Sequence, residues 1–245
     1  MEKLIQELTP HAYYKLVVFG GVDISITKAV LTLLIAAVLT FLLFWIPSRR
    51  MKLVPRGWQN FVEVLVEFTR EGLLYEIMGE EGKPYFPLIA TLFSFIFITN
   101  LVGLIPGSLP ATSQIGTTAA WALIVFIIYN AVGVIKHGPI GYLKTFVPPG
   151  TPIFLAPVMF PLEIISHIAR PFSLAVRLFA NVVAGHMVLG VFAFLSFTSL
   201  IIIKILPFSM IVIMYLFEIF VGGLQAYIFA ILAAIYIQGA LQSEH

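Results

Sequence analysis

The feature that most constrains this chain is the length of its uninterrupted apolar runs. Between Ile24 and Ile46 only Lys28 carries a charge, and neither 85–106 nor 115–135 contains a charged residue. About 20 such residues are enough to cross a bilayer as a helix, and backbone polar groups in hydrocarbon must be satisfied within the segment. Composition agrees: 60% of the 245 residues are hydrophobic and 11% are charged, where soluble domains carry roughly 25% charged residues. The chain is therefore read as one all-α integral membrane domain lying in a lipid bilayer. A net charge of +2 without a Lys/Arg block leaves nothing to hold nucleic acid. Cysteine is absent, which excludes disulfide frameworks and thiolate chemistry.

The order of segments follows from charge and breakers. Residues 1–23 form an outer N-terminal segment; Glu2, Lys3, Glu7 and Lys15 deny 1–15 the apolar core of a cleavable signal peptide. The first span is 24–46, ended by Pro47 and followed by Arg49, Arg50, Lys52 and Arg56, the densest cationic cluster in the chain. Positive residues mark the cytoplasmic side, which puts the N-terminus outside. In 57–78 Phe61, Leu65, Phe68 and Leu73 alternate with Glu63, Glu67, Arg70, Glu71 and Glu76, an amphipathic helix read as interfacial, with a solvated connector as the alternative. A helical hairpin over 85–135 turns at the uncharged 107–114 and returns to Lys136, His137 and Lys144. After the Pro/Gly cluster VPPGTP at 147–152, residues 153–245 form a second hairpin of two long helices. Stretches of this length reach roughly 54 Å, far beyond a hydrocarbon core of about 30 Å, so both should tilt or bend. Pro171 offers a kink, and Thr198, Ser199 and Pro207 a turn between them. The expected total is about five membrane helices plus the amphipathic one.

The last third carries the chemistry. Its only formally charged residues are Glu163, Arg170, Arg177, Lys204, Glu218 and Glu244, and ionisable groups inside a membrane are functional candidates by default. Glu163, Ser166, Arg170, Ser173, Arg177, Asn181 and Ala184 recur at steps of 3 or 4, one stripe of a helix. Glu218, Gly222 and Gln225 form a second polar, small-residue face. Two such faces could enclose a hydrated gap. His167 and His186 each admit two readings, helix packing or proton exchange, and a buried Arg admits the reading of a structural brace for an adjacent Glu. An acid, imidazoles, amides and a guanidinium along two helices together suit a proton path, because a proton needs groups that both give and take it.

The stretch RPFSLAVRLFANVVAG at 170–185 resembles the signature of the a subunit of F-type rotary ATP synthases. FITNLVGLIPGSLP at 97–110, VPPGTP at 147–152 and LQAYIFAILAAIYI at 224–237 are similar to the same family, so the resemblance covers most of 85–240. It implies a stator subunit with two proton half-channels to and from the carboxylates of a rotating c-ring. Its further partners would be b-type peripheral stalk subunits and, indirectly, the F1 sector. By position, Arg177 matches the essential arginine that separates the half-channels, and Asn181 the neighbouring amide. Glu218 and Gln225 match the outer, proton-entry half-channel. His186 falls where other members place a carboxylate, so acid and imidazole look interchanged between the helices. Glu163, with Ser173, matches the inner exit side. The departure lies in 106–114, where some relatives carry acids and this chain has none.

Other classes fit less well. A proton- or cation-coupled secondary transporter would also bury Arg and Glu, but it calls for repeated halves that this sequence does not display. An intramembrane enzyme would need a motif such as HExxH or GxSxG, and the chain has one Asp and neither motif. No phosphate-binding loop or metal-ligand cluster is legible, so no cofactor and no covalent catalysis by the chain itself is expected. The resemblance implies a bacterial plasma membrane, with the mitochondrial inner membrane as the alternative. The acid–histidine pair favours protons over sodium as the coupling ion.

Overall fold

The computed structural model describes residues 12–19, 22–49, 51–52, 54–147, 152, 154–198 and 205–242. Its body is α-helical, with five helical segments long and apolar enough to cross a membrane. A short antiparallel hairpin comes first: β1 (Ala12–Phe19) pairs with β2 (Val22–Thr27). The first span therefore starts at Lys28 and not at Ile24. Val22, Ile24, Ile26 and Thr27 are β-branched, so hydropathy alone cannot separate the strand from the helix it leads into. Thr27 marks the boundary, its Oγ1 accepting from Val30 N–H at 3.3 Å as an N-cap.

Helix α1 (Lys28–Ser48) runs one residue past Pro47. Helix α2 (Trp58–Thr69) leads into a π-helical turn, Arg70–Tyr75, then a short α turn and a 3-10 segment, Gly79–Tyr85. Val62, Thr69, Leu73, Leu74 and Met78 are buried along this stretch while Glu63, Glu67, Glu71 and Glu76 are exposed or half-exposed, so it is amphipathic as its sequence implies. Helix α3 (Phe86–Gly103) and helix α4 (Ile115–Lys144) follow. Gly138 in α4 takes φ +72, a left-handed value that only glycine adopts cheaply, and Pro139 follows it. The chain folds back there so tightly that any Cβ on Gly133 would collide with the Tyr142 ring.

Helix α5 (Ala156–Thr198) has 43 residues and helix α6 (Ile205–Leu241) has 37. At 1.5 Å per residue these are roughly 64 and 55 Å long, about twice a hydrocarbon core. Helix α5 continues through both Pro161 and Pro171. Pro207 falls in the first turn of α6, where its missing N–H costs nothing. Of the turn expected between the two, Ser199 lies outside the described residues, as do Lys204, Glu244, residues 1–11, and 148–151 of the Pro/Gly cluster.

The core lies between α3, α4, α5 and α6. Ala226, Ala230, Ala233 and Ala234 are almost wholly buried on α6, interleaved with Phe229 and Ile237. Without a hydrophobic drive between helices in lipid, small residues that permit close backbone approach are what let helices pack. Helix α5 is different: only 11% of its most apolar window is buried, against 56% for the segment from Trp58 to Gly103.

Candidate functional site

The two long helices meet around one acid and one imidazole. Glu218 of α6 and His186 of α5 approach to 2.7 Å, Oε1 to Nδ1, and both side chains are largely buried, at 12% and 19% exposure. His186 is held at both ring nitrogens, Nδ1 lying 3.2 Å from Val182 O and Nε2 3.2 Å from Gly103 O across in α3. The carboxylate has no such support. It sits at ion-pair separation without hydrogen-bond alignment, and neither oxygen has a hydrogen-bond partner among the described residues although both are cut off from the surface. A buried polar group left so is costly, and it needs either a proton or a water.

A cavity of about 20 Å³ adjoins the pair, lined among others by Asn100, Asn181, His186, Glu218 and Gln225. That is room for about one water, and its walls offer the two or more polar partners a buried water requires. Gly185 makes the space for the acid: a Cβ there would lie 2.7 Å from Glu218 Oε1. Asn100 fixes the outer wall, donating from Nδ2 to Gly222 O at 3.1 Å and accepting from Thr112 Oγ1 at 3.0 Å.

One turn before Asn181 on α5, Arg177 is exposed and makes no hydrogen bond or ion pair with any described residue. Ser173, a further turn back, is also exposed. Arg170 behaves otherwise. Its Nη2 is 3.2 Å from Glu163 Oε1, and its guanidinium lies 5.7 Å from the Tyr236 ring centroid. Beside it His167 is buried in a cage: its Nε2 is 2.9 Å from Asn130 Oδ1, which also accepts from Tyr142 OH at 3.0 Å. The rings of Phe126, Tyr129 and Phe146 surround it, with centroids 4.9 to 5.5 Å away.

The sequence-expected residues thus fall into three places. Glu218, His186, Asn181 and Gln225 line one cavity; Arg177 and Ser173 face outward; Glu163 pairs with Arg170 near the opposite end of α5. Along the α5 stripe the exposure alternates, Glu163, Arg170 and Asn181 being half-buried and Ser166, Ser173, Arg177 and Ala184 exposed, with Asn181 lining the cavity. At 100° per residue the seven positions stay within one arc of about 80°, and the half-buried ones lie along one edge of it. Sequence reasoning gave no role to Asn100, Gly103 or Gly185. The Asn100 signal was present, an amide inside the charge-free run 85–106.

A bundle of five apolar helices enclosing an acid–imidazole pair, with an exposed guanidinium one turn beyond its cavity, defines a multi-pass membrane protein equipped to pass ions. The chain belongs to the ATP synthase A chain family, whose model matches residues 30–238. It is 39% identical over 222 residues to the ATP synthase subunit a of Rhodospirillum rubrum, covering 91% of each chain. It is 45% identical to subunit a 1 of Pelobacter propionicus, covering 84% of this chain and 85% of the relative. For subunit a of Geobacter sulfurreducens the identity is 46%, with 82% and 81% covered. The chain is accordingly a multi-pass protein of the bacterial inner membrane, the ion-translocating stator subunit of an ATP synthase membrane sector.

Proposed function

We propose that the cavity at Glu218 and His186 is the inner end of an outer proton half-channel, and that Arg177 is the barrier between it and an exit half-channel. A proton entering from outside passes Gln225 and Asn181 and is exchanged between the carboxylate and the imidazole, which stand 2.7 Å apart. From there it reaches a carboxylate of the c-ring at the open face of α5. Arg177 keeps its charge at any accessible pH. It draws a deprotonated ring carboxylate to the interface and prevents protons from crossing between the half-channels without turning the ring. Ser173 and Glu163 form the exit side, toward the cytoplasm.

The observation that carries this reading is the exposed, unpaired guanidinium of Arg177 one turn from a buried polar cavity. An ionic group left bare on an apolar helix calls for a partner carrying the opposite charge. The c-ring supplies carboxylates, b-type stalk subunits hold the stator, and the F1 sector performs the nucleotide chemistry, so the chain itself catalyses no covalent step. The test is ATP-driven acidification of proteoliposomes carrying the whole complex with Arg177→Ala. Pumping should vanish while the membrane subunits stay assembled, with a passive proton leak in its place. Normal pumping by an assembled Ala variant would remove Arg177 from the proton path.

A further inference from the structure

On the side of the molecule away from the acid–imidazole pair, α1, α2 and α3 enclose an apolar groove of about 510 Å³. Leu43 and Ile46 form one wall, Trp58 and Phe61 the second, Phe97 and Ile98 the third. The volume lies within the roughly 300–1,000 Å³ usual for small-molecule sites.

Three cations border the walls of this groove in the chain. Arg49 follows the wall residue Ile46 by one turn, Arg56 precedes the wall residue Trp58 by two positions, and Lys52 lies between; all three are exposed. The connecting segment is tied to α2, since Gln59 accepts from Lys52 N–H at 3.2 Å and donates to Lys52 O at 3.0 Å. The Arg49 guanidinium rests over the Trp45 ring at 3.6 Å, on the adjoining face of α1, and its exposed side chain is long enough to swing to the groove. The first acid on α2, Glu63, is engaged by Gln59 at 2.7 Å. None of the three cations forms an ion pair with a described acid.

We propose that this groove is a binding site for an anionic phospholipid of the inner leaflet, with an acyl chain along Leu43, Ile46 and Phe97 and the phosphate on Arg49, Lys52 and Arg56. Charge decides between occupants. A cluster of exposed cations beside an apolar slot matches a molecule that is anionic at one end and hydrocarbon at the other. An apolar transmembrane helix, as of a stalk subunit, would meet the groove with hydrocarbon and bring no anion to the cations. The proposal is independent of the proton path.

The test uses the intact complex purified in mild detergent and washed free of loosely held lipid. The retained phospholipid is counted by mass spectrometry, and the depleted complex is then titrated with phosphatidylglycerol or phosphatidylcholine. The wild type should retain phosphatidylglycerol in preference to phosphatidylcholine. The triple variant Arg49→Gln, Lys52→Gln, Arg56→Gln should bind phosphatidylglycerol on the order of 100-fold more weakly, about fivefold for each removed charge. The pair Arg49→Lys, Arg56→Lys, which keeps the charge, should restore most of the affinity. A photoreactive benzoylphenylalanine at Leu42, another groove residue, should yield a lipid adduct. Equal retention by the triple variant, no preference between the two lipids, or an adduct to a stalk subunit would each overturn the proposal.

Discussion

Arg170 and Arg177 stand two turns apart on α5, and the structure treats them in opposite ways. Arg170 is paired with Glu163, lies near the Tyr236 ring and sits next to the caged His167. Arg177 reaches outward with no described partner. The same side chain on the same helix is closed at one site and open at the other, and its neighbours make the difference, Glu163 from α5 itself and Tyr236 from α6. Helix α5 is thus a beam anchored near its N-terminal end and left available further along. A closed site has spent its charge on the fold, and an open one keeps it for a partner.

The sharpest test of this contrast is to make the same conservative change at both arginines. Arg177→Lys should lose nearly all ATP-driven pumping, because ammonium is a compact charge that can lose its proton when desolvated, whereas guanidinium spans several partners. Arg170→Lys can still pair with Glu163 and should pump close to the wild-type rate. Vesicle acidification with both variants decides the matter, and equal loss would erase the distinction.

Next in size is the acid–imidazole pair. Glu218→Gln should slow proton entry on the order of 100-fold, the scale of a positioned proton-transfer group. His186→Ala should slow it less, since water can stand in for the ring. The exchange Glu218→His with His186→Glu keeps both groups at one separation and should transport faster than either single replacement. An exchanged variant that assembles fully and is no better than the slower single one would break the relay.

The caged histidine should show the reverse pattern. His167→Ala leaves Asn130 and Tyr142 without a shared partner and should destabilise the complex by about 1–3 kcal/mol. Proton transport per assembled complex should stay unchanged. Thermal inactivation of the complex reads the first and acidification the second; a transport defect in stable complexes would move His167 into the path. Smallest is the stability effect of Glu163→Gln, about 0–1 kcal/mol, because the pair is one-third exposed on each side. Its exit role would appear as slower proton release, and a loss of assembly would contradict the weak-pair reading.

Much of this was legible in the chain. The apolar runs gave the spans, and Arg177, Glu218 and His186 stood out because charge is so rare in the last third. The sites of contact were harder to read. Asn100 meets Gly222 across 122 residues, and His167 meets Asn130 across 37, separations that helical periodicity does not carry. Periodicity also joined Asn181 to Arg177 on one stripe, and it does not say which edge of that stripe meets the cavity, where Asn181 is half-buried while Arg177 is exposed. The β1–β2 hairpin escaped because Ile24 and Ile26 of its second strand run straight into the apolar helix that follows, with no Gly or Pro between them.

The sparse burial of α5 has a consequence for how the protein is made. With only 11% of its most apolar window covered, this helix leaves the insertion machinery with Arg177 facing acyl chains, a burden of about 2.5–3.5 kcal/mol on the insertion scale. Until another subunit covers that face, the newborn chain is an incomplete object that membrane proteases can recognise. Its lifetime in the cell should therefore depend on how soon its neighbours arrive, and a cell that makes it in excess of them should degrade the surplus.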